Sequence, residues 1–198
     1  MIFLTIGNGI QLISDYNIFE NVVRDSYAGV VWSHKIQEKQ SDIYAEIYKC
    51  METVKIIIAS LTSVGIVAII FTDPLWLKLV SAFVSFFAVY INAYYKTFDL
   101  QKMMSLHKAT ANRLIEIRDQ YKILLTKIRL RADSLENLIL IYENLVNKTD
   151  QIYFESPSTS NKAVRRASKA LKINKDNTFS DEEIDSFLPE SLRRCTHE

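Results

Sequence analysis

The sequence predicts an all-α protein: a two-helix transmembrane hairpin, a long cytoplasmic helical stalk and short C-terminal helices. The chain of 198 residues has only four glycines and three prolines, and so few turn-forming residues favour long helices. Two uncharged apolar runs, 56–72 and 79–95, flank the pair Asp73-Pro74. The stretch that follows them repeats apolar residues in steps of three and four, which is the helical period.

Residues 1–53 are predicted to form a cytoplasmic helical region that leads into the first apolar run. Apolar side chains recur there at helical intervals, although less regularly than further along the chain. The members of this row are Val22, Val23, Tyr27, Val30, Val31, Ile36, Ile43, Ile47 and Val54. We expect this helix to pack along the helix that follows the second run.

Residues 54–96 contain the two apolar runs, which together predict a membrane hairpin. Each run has about 17 residues and would extend about 25 Å as a helix, near the hydrocarbon thickness of a bilayer. Pro74 cannot lie inside a helix without losing a hydrogen bond and clashing with the preceding turn, so we expect a turn at residues 72–75. A buried helical pair in a soluble bundle is the alternative, because the runs are short for membrane spans.

Lysine and arginine residues flank the hairpin on its two outer sides. These residues are Lys35, Lys39, Lys49, Lys55, Lys96, Lys102, Lys108, Arg113 and Arg118. The connection between the runs offers only Lys78. Because basic residues are retained on the cytoplasmic side of a membrane, we expect both termini to be cytoplasmic and the turn at Pro74 to face outward.

Residues 97–154 are predicted to form a long cytoplasmic helix, or two collinear helices, ending near Asn147, with the sequence NKTD as the stop. One apolar row is Leu114, Ile117, Tyr121, Leu124, Ile128, Leu135, Leu138, Tyr142 and Leu145. A second row that starts at His107 shares several of these residues. The combined stripe is wider than a coiled-coil seam and predicts packing against more than one neighbour.

Residues 155–198 are predicted to form a C-terminal helical tail. The segment NKAVRRASKALKIN at 161–174 has a basic polar side, typical of an amphipathic helix. Ser180 followed by Glu183 predicts a capping box at the start of a short helix, DEEIDSFL, which ends before Pro189.

Four residues on one side of the second run have small or polar side chains: Ser81, Ser85, Ala88 and Asn92. Their 4-3-4 spacing places them on one helical face, and polar groups in lipid require partners or water. The face predicts either a water-lined path or a seam of close helix packing. Since two helices cannot enclose a pore, conduction would require a homo-oligomer, and we favour a tetramer.

Two groups of basic residues are candidate phosphate-ligand sites. On the long helix they are Arg113, Arg118, Lys122, Lys127, Arg129 and Arg131, and on the tail helix Lys162, Arg165, Arg166 and Lys169. Charged residues on long helices are more often solvated or paired. For the tail helix, contact with anionic lipid headgroups is a further alternative.

The sequence does not predict an enzyme, a metal site or a cofactor. His34, His107 and His197 lie far apart with no second ligand at a suitable spacing, and no phosphate-binding glycine loop is present. His107 lies on the apolar stripe, so we expect it to be a hydrogen-bonded packing residue.

The order of elements resembles the SLATT family of two-transmembrane effector domains, which are found beside nucleotide-signal synthetases in bacterial conflict systems. The features that carry the resemblance are a helix with Trp32 and His34, the hairpin, the helix around His107, and a distinctive tail. That tail runs from Pro157 through Ala163 and Ala170-Leu171 to FSDEEIDSFLP at 179–189. The resemblance covers roughly residues 21–194.

The resemblance implies a bacterial inner-membrane effector of anti-phage, abortive-infection type. Such a protein would perturb the membrane or form an ion-conducting pore when a nucleotide or oligonucleotide signal changes, which arrests or kills an infected cell. The implied partners are further copies of the chain, membrane lipid and a nucleotide signal made by a partner nucleotidyltransferase. The alternative is a membrane-tethered helical scaffold that recruits a soluble partner and conducts no ions.

Overall fold

The computed structural model is all-helical over the residues that it describes, which are 2–72, 74–176, 178–190 and 193. For residues 2–13, 66, 68–72 and 96 it describes the backbone alone. Six helices follow one another, and no strand occurs in these ranges: α1 Ile2–Thr72, α2 Leu75–Phe98, α3 Leu100–Leu130, α4 Leu135–Glu155, α5 Asn161–Lys172 and α6 Asp181–Phe187.

Helix α1 is one continuous helix of 71 residues, which corresponds to a length of about 105 Å. No proline interrupts the sequence before Pro74, so nothing in the backbone forces a kink. The predicted N-terminal region and the first apolar run are therefore parts of the same rod.

Helix α1 ends at Thr72 and α2 begins at Leu75, which confirms the predicted helix break at Pro74. Pro74 precedes α2 with an extended backbone, φ −81° and ψ 139°, a conformation suited to the residue before a helix. Asp73, which the sequence also assigns to this turn, lies outside the described residues.

The C-terminal part of α1 and α2 contact each other in reverse chain order. Near one end the ring centroids of Tyr48 and Tyr95 lie 5.8 Å apart, and the Tyr95 hydroxyl donates to the Tyr48 carbonyl at 3.1 Å. Further along, a Cβ atom on Gly65 would lie 3.1 Å from the Ser81 hydroxyl oxygen. The absence of a side chain at Gly65 therefore allows the two helices to approach closely.

The prediction of a single helix, or of two collinear helices, after the second run was wrong. Helix α3 ends at Leu130, and Arg131 follows in a left-handed conformation with φ 48°. Ser134 then caps α4 by accepting a hydrogen bond from the backbone N–H of Asn137. Helix α4 folds back along α3, since Glu155 at its end pairs with Arg113.

The sequence NKTD at 147–150 is also not a stop, because α4 continues to Glu155. The Thr149 side chain lies in the core, and its hydroxyl donates to the Leu145 carbonyl at 2.7 Å. Since Leu138, Leu145, Thr149 and Ile152 are all buried, the helical burial pattern passes through the polar segment without a break.

The main core lies between the N-terminal half of α1 and the pair α3 and α4. The residues of this core are Tyr16, Val23, Val30, Leu114, Ile117, Tyr121, Leu124, Ile128, Leu138, Leu145 and Ile152. The predicted row on α3 from Leu114 to Ile128 is entirely buried, which confirms that it is the packing face. The apolar stripe on α3 is wider than a coiled-coil seam because α3 contacts both α1 and α4.

Helix α5 lies across α1 through three fully or almost fully buried alanines, Ala163, Ala167 and Ala170. Their small side chains allow the two backbones to approach closely, as in other helix contacts with small residues.

The predicted capping box of α6 is confirmed, because Ser180 and Glu183 exchange both hydrogen bonds. At the end of the predicted tail, residues 191–192 and 194–198 lie outside the described residues.

The fold-back of α4 can be tested with two leucines that differ in exposure. Leu138 is fully buried, whereas Leu140 is 62% exposed. Leu138→Ala should lower the free energy of unfolding by about 2–4 kcal/mol, because it leaves a cavity in the core. Leu140→Ala should change it by about 0.5 kcal/mol or less. Chemical denaturation followed by circular dichroism measures both, and equal losses would contradict the fold-back.

Candidate functional site

The predicted polar face of α2 is divided between helix packing and exposure. Ser81 lies against Gly65 of α1, and Ala88 is half-buried, whereas Ser85 and Asn92 are exposed. Asn92 borders a hollow between α1 and α2 that Lys55 and Thr62 also line. A packing role is therefore observed at Ser81, and a water-lined path at Ser85 and Asn92 stays a prediction.

Lys55 of α1 and Tyr95 of α2 contact each other next to the two apolar runs. The Lys55 ammonium nitrogen lies 3.3 Å from the centroid of the Tyr95 ring, which is a cation–π contact. The same ammonium pairs with Glu52 at 3.1 Å. These contacts join the two helices at the start of the first apolar run and the end of the second.

Several of the predicted phosphate-binding side chains are paired with carboxylates. Arg166 and Glu46 form two hydrogen bonds of 2.6 and 2.8 Å, and this pair ties α5 to α1. Arg113 pairs with Glu155. Arg118 pairs with the adjacent Asp119, and Arg129 with Glu20 of α1 at 2.9 Å. The alternative interpretation, paired charges on a helical surface, is thus observed at these four arginines.

The remaining basic candidates differ in their surroundings. The Arg131 guanidinium lies over the Tyr16 ring at 5.7 Å from its centroid. Within the described part of the chain, no ion pair forms at the other five: Lys122, Lys127, Lys162, Arg165 and Lys169. Of these five side chains, that of Lys122 borders two adjoining hollows.

A groove between α1 and α3 brings together Arg118, Lys122 and Arg129 from the predicted set. It consists of two adjoining hollows with volumes of about 550 and 700 Å³. Sequence reasoning missed its α1 wall, which presents Arg24 and Trp32 beside Tyr27. A signal was present, because residues 24, 27, 28, 31 and 32 share one helical face.

Buried polar residues form a second cluster where α1, α3 and the start of the tail meet. His107 is fully buried, and its Nδ1 lies 2.5 Å from the Gln37 side-chain oxygen. The Gln37 amide nitrogen donates to the Pro157 carbonyl at 3.3 Å. His107 is thus a hydrogen-bonded packing residue, as predicted. Its Nε2 is buried with no hydrogen-bond partner among the described residues.

Burial lowers the pKa of His107 below its ordinary value. Burial also lowers the pKa of His34, although the carboxylate of Glu38 opposes this effect. Both imidazoles are therefore neutral at pH 7, because the charged form is costly in a buried site. The side chain of Lys35 is also buried, and its ammonium nitrogen lies 3.0 Å from a Glu38 carboxylate oxygen and 3.4 Å from one of Asp176 in the tail.

Over the described residues, no three His, Cys, Asp or Glu side chains lie together in a group able to hold a metal ion. The clusters above offer charge, aromatic rings and hydrogen bonds. This combination is suited to binding an anionic ligand.

One helical stretch of the described chain, Leu75–Leu130, is long and apolar enough to cross a membrane, and no residue in its most apolar part is buried. The side chains at the end of the first apolar run are outside the description. Residues 19–183 match the family of SMODS and SLOG-associating 2TM effector domains, family 4. The chain belongs to the SLATT family.

The SLATT match covers α1 from residue 19, both apolar runs, α3, α4, α5 and the capping box. The family description identifies a two-transmembrane effector domain that associates with SMODS and SLOG domains. The match ends at residue 183, so the last part of the FSDEEIDSFLP motif lies beyond it. No curated protein and no solved structure matches the chain.

The neutral histidines of this SLATT domain predict a pH dependence of stability. In the unfolded chain the two histidines take up protons near pH 6.5, whereas in the folded protein burial lowers their pKa and disfavours the charged form. The folded state therefore keeps its full stability above that pH and loses stability as the pH falls below it. The free energy of unfolding should decrease between about pH 7 and 5. Denaturation at several pH values measures this.

The matched variant for the pH test is His34→Gln combined with His107→Gln. This double variant should show a much shallower decrease over the same interval, even if its stability at pH 7 is lower. An unchanged slope would assign the dependence to other groups.

Proposed function

We propose that this SLATT protein is a homo-oligomeric effector of the bacterial inner membrane that conducts ions under the control of a nucleotide or oligonucleotide signal. The two apolar runs form a transmembrane hairpin with the turn at Pro74 outside and both termini in the cytoplasm. The proposal includes no catalytic step.

The observation that carries the proposal is the exposure of large apolar side chains on α2. Phe83 and Phe86 are each 70% exposed, and Val89 is 68% exposed. An apolar surface that is continuous along a helix is unstable in water and is typical of a membrane or partner contact. The family's description as a two-transmembrane effector domain supports the membrane.

The contacts between α1 and α2 support a hairpin in which both helices span the bilayer. Outward-facing side chains of the first run, such as Ile56, Leu61 and Val64, are exposed like those of α2. Gly65 and Ser81 allow close approach, which replaces the hydrophobic driving force that is absent in lipid.

Cysteine labelling tests the topology. In a Cys195→Ser variant, Cys50, which is exposed, should react with a membrane-impermeant maleimide only after spheroplasts are permeabilised, because it lies on the cytoplasmic side. A Leu75→Cys variant that lacks both native cysteines should react in intact spheroplasts, because Leu75 begins α2 just after the turn. Reaction of Cys50 in intact spheroplasts would contradict the orientation.

Pore formation requires several copies, and the stalk offers a means of association. Apolar side chains are exposed on α3 and α4, namely Ile123, Leu130, Leu140 and Phe154. Surfaces of this kind favour contact with another protein surface, and closed symmetry is the usual outcome for identical subunits. We propose a tetramer in which Ser85 and Asn92 face the conducting path.

Control by a nucleotide signal is supported by the association of the family with SMODS and SLOG domains. A partner nucleotidyltransferase would make the signal during phage infection. Opening of the pore would dissipate ion gradients and arrest or kill the infected cell.

The pore is tested by Ser85→Leu combined with Asn92→Leu. This variant should lose ion efflux from reconstituted liposomes by tenfold or more, because leucine removes the polar groups that hydrate the path. The control is Val89→Leu, which alters an exposed apolar position of the same helix and should conduct normally. Unchanged efflux in the double variant removes Ser85 and Asn92 from the path.

The second candidate function is a membrane-tethered scaffold without conduction. The packing of Ser81 against Gly65 favours it in part, because one member of the polar face is already used within the hairpin. Efflux that stays at the level of protein-free liposomes for every nucleotide added would support the scaffold over the pore.

A further inference from the structure

We propose that the groove between α1 and α3, which the C-terminal segment closes at one end, is the site where a nucleotide binds. The phosphates lie at Lys122, Arg24 and Arg129, and the base stacks on Trp32. This inference rests on the proposed control by a nucleotide signal and assigns that control to a place in the fold.

The two hollows of the groove adjoin each other, because Tyr27, Ala28 and Lys122 line both of them. One hollow extends along α3 between Arg24 and Arg129. The other extends towards Trp32 and is bordered by Asp176, Thr178 and Phe179 of the C-terminal segment. The groove is therefore basic at one end and aromatic at the other.

The basic end presents charge that the protein itself does not neutralise fully. Arg24 and Arg129 share a single carboxylate, that of Glu20, at 3.9 and 2.9 Å. Lys122 is exposed and forms no ion pair with the described residues. A phosphate that reaches these three side chains gains charge-assisted hydrogen bonds from a preformed cluster.

The aromatic end provides a surface for a planar ring. Trp32 is half-buried, so the surrounding helix packing restrains its indole. The Lys172 ammonium nitrogen lies 5.8 Å from the indole centroid, which adds a cation near the ring. Phe179 lines the same hollow. Nucleobases stack on aromatic side chains irrespective of base identity, so this end is suited to the base of a nucleotide.

A lipid headgroup is not suited to this site because of its distance from the apolar run. Trp32 and Ile56 lie on the same helix, and the 24 residues between their positions correspond to about 36 Å. This separation exceeds the depth of the interfacial region of a bilayer. The phosphate source is therefore a soluble ligand.

A ligand in the groove contacts both the C-terminal segment and α1. Asp176, which borders the aromatic end, pairs with the buried Lys35 of α1. The opposite wall belongs to α1 itself, which continues into the apolar run. A nucleotide that bridges the walls stabilises the docked C-terminal segment, and this differential binding is what a signal requires to shift a conformational equilibrium.

The test uses the fluorescence of Trp32 in the full-length protein in detergent micelles. The chain contains two tryptophans, so Trp76→Phe leaves Trp32 as the single reporter. The probes are ATP, GTP, the linear dinucleotide pApA, cyclic di-AMP, cyclic di-GMP and inorganic pyrophosphate. We expect at least one nucleotide to quench Trp32 saturably below 1 mM and pyrophosphate to compete with it without quenching.

Lys122→Glu and Lys127→Glu form the matched pair, and Lys122→Gln repeats the first with a milder change. Both lysines are exposed on α3, but Lys127 lies roughly 140° away around the helix and does not line the groove. The substitutions at Lys122 should weaken binding by tenfold or more, since a phosphate contact is lost, whereas Lys127→Glu should change it less than threefold.

The outcomes separate this site from the proposed pore. No quenching by any nucleotide, or equal weakening by Lys122→Glu and Lys127→Glu, overturns the groove as the nucleotide site, even if liposomes show efflux. Quenching by pyrophosphate alone overturns the assignment of the aromatic end. Binding that depends on Lys122 in a protein without efflux supports the groove and removes the pore.

Discussion

The contact between one face of α1 and α3 is the interaction on which the other elements depend. Val23 and Val30 of α1 are almost completely buried in the same core as Tyr121 and Leu124 of α3. Helix α4 packs on α3, and α5 packs on α1, so each is positioned by this pair. The seven-residue spacing of Tyr16, Val23 and Val30 is typical of helices that pack side by side over a long distance.

The polar layer above this core determines where the tail docks. Gln40 accepts hydrogen bonds from both the backbone N–H and the hydroxyl of Ser160, while Gln37 links His107 to the Pro157 carbonyl. Buried polar groups must be paired to avoid a large desolvation cost, and these pairs form only when the tail lies in one place. The same docking closes the groove that we assign to the nucleotide.

The two halves of helix α1 differ in what surrounds their apolar side chains. The N-terminal half buries apolar side chains against other helices, whereas Ile56 and Leu61 in the C-terminal half are exposed. The break at Pro74 and the small residue Gly65 then allow α2 to return along it. Because α1 is continuous, it joins the groove that we assign to the nucleotide to the apolar hairpin, as the proposed signalling requires.

The sequence by itself determined the helical class, the break at Pro74, the buried row from Leu114 to Ile128 and the capping box at Ser180, because period and local capping chemistry are encoded by neighbouring residues. At 131–134 the apolar period predicts a helix that continues outward, whereas Arg131 ends α3 and Ser134 caps a separate helix that folds back. Only the tertiary structure decided that α4 folds back, that Arg113 and Arg166 are held by carboxylates, and that Arg24, Lys122 and Trp32 meet in one groove. These arrangements depend on which helix faces pack together, and such contacts join residues that are remote in the chain.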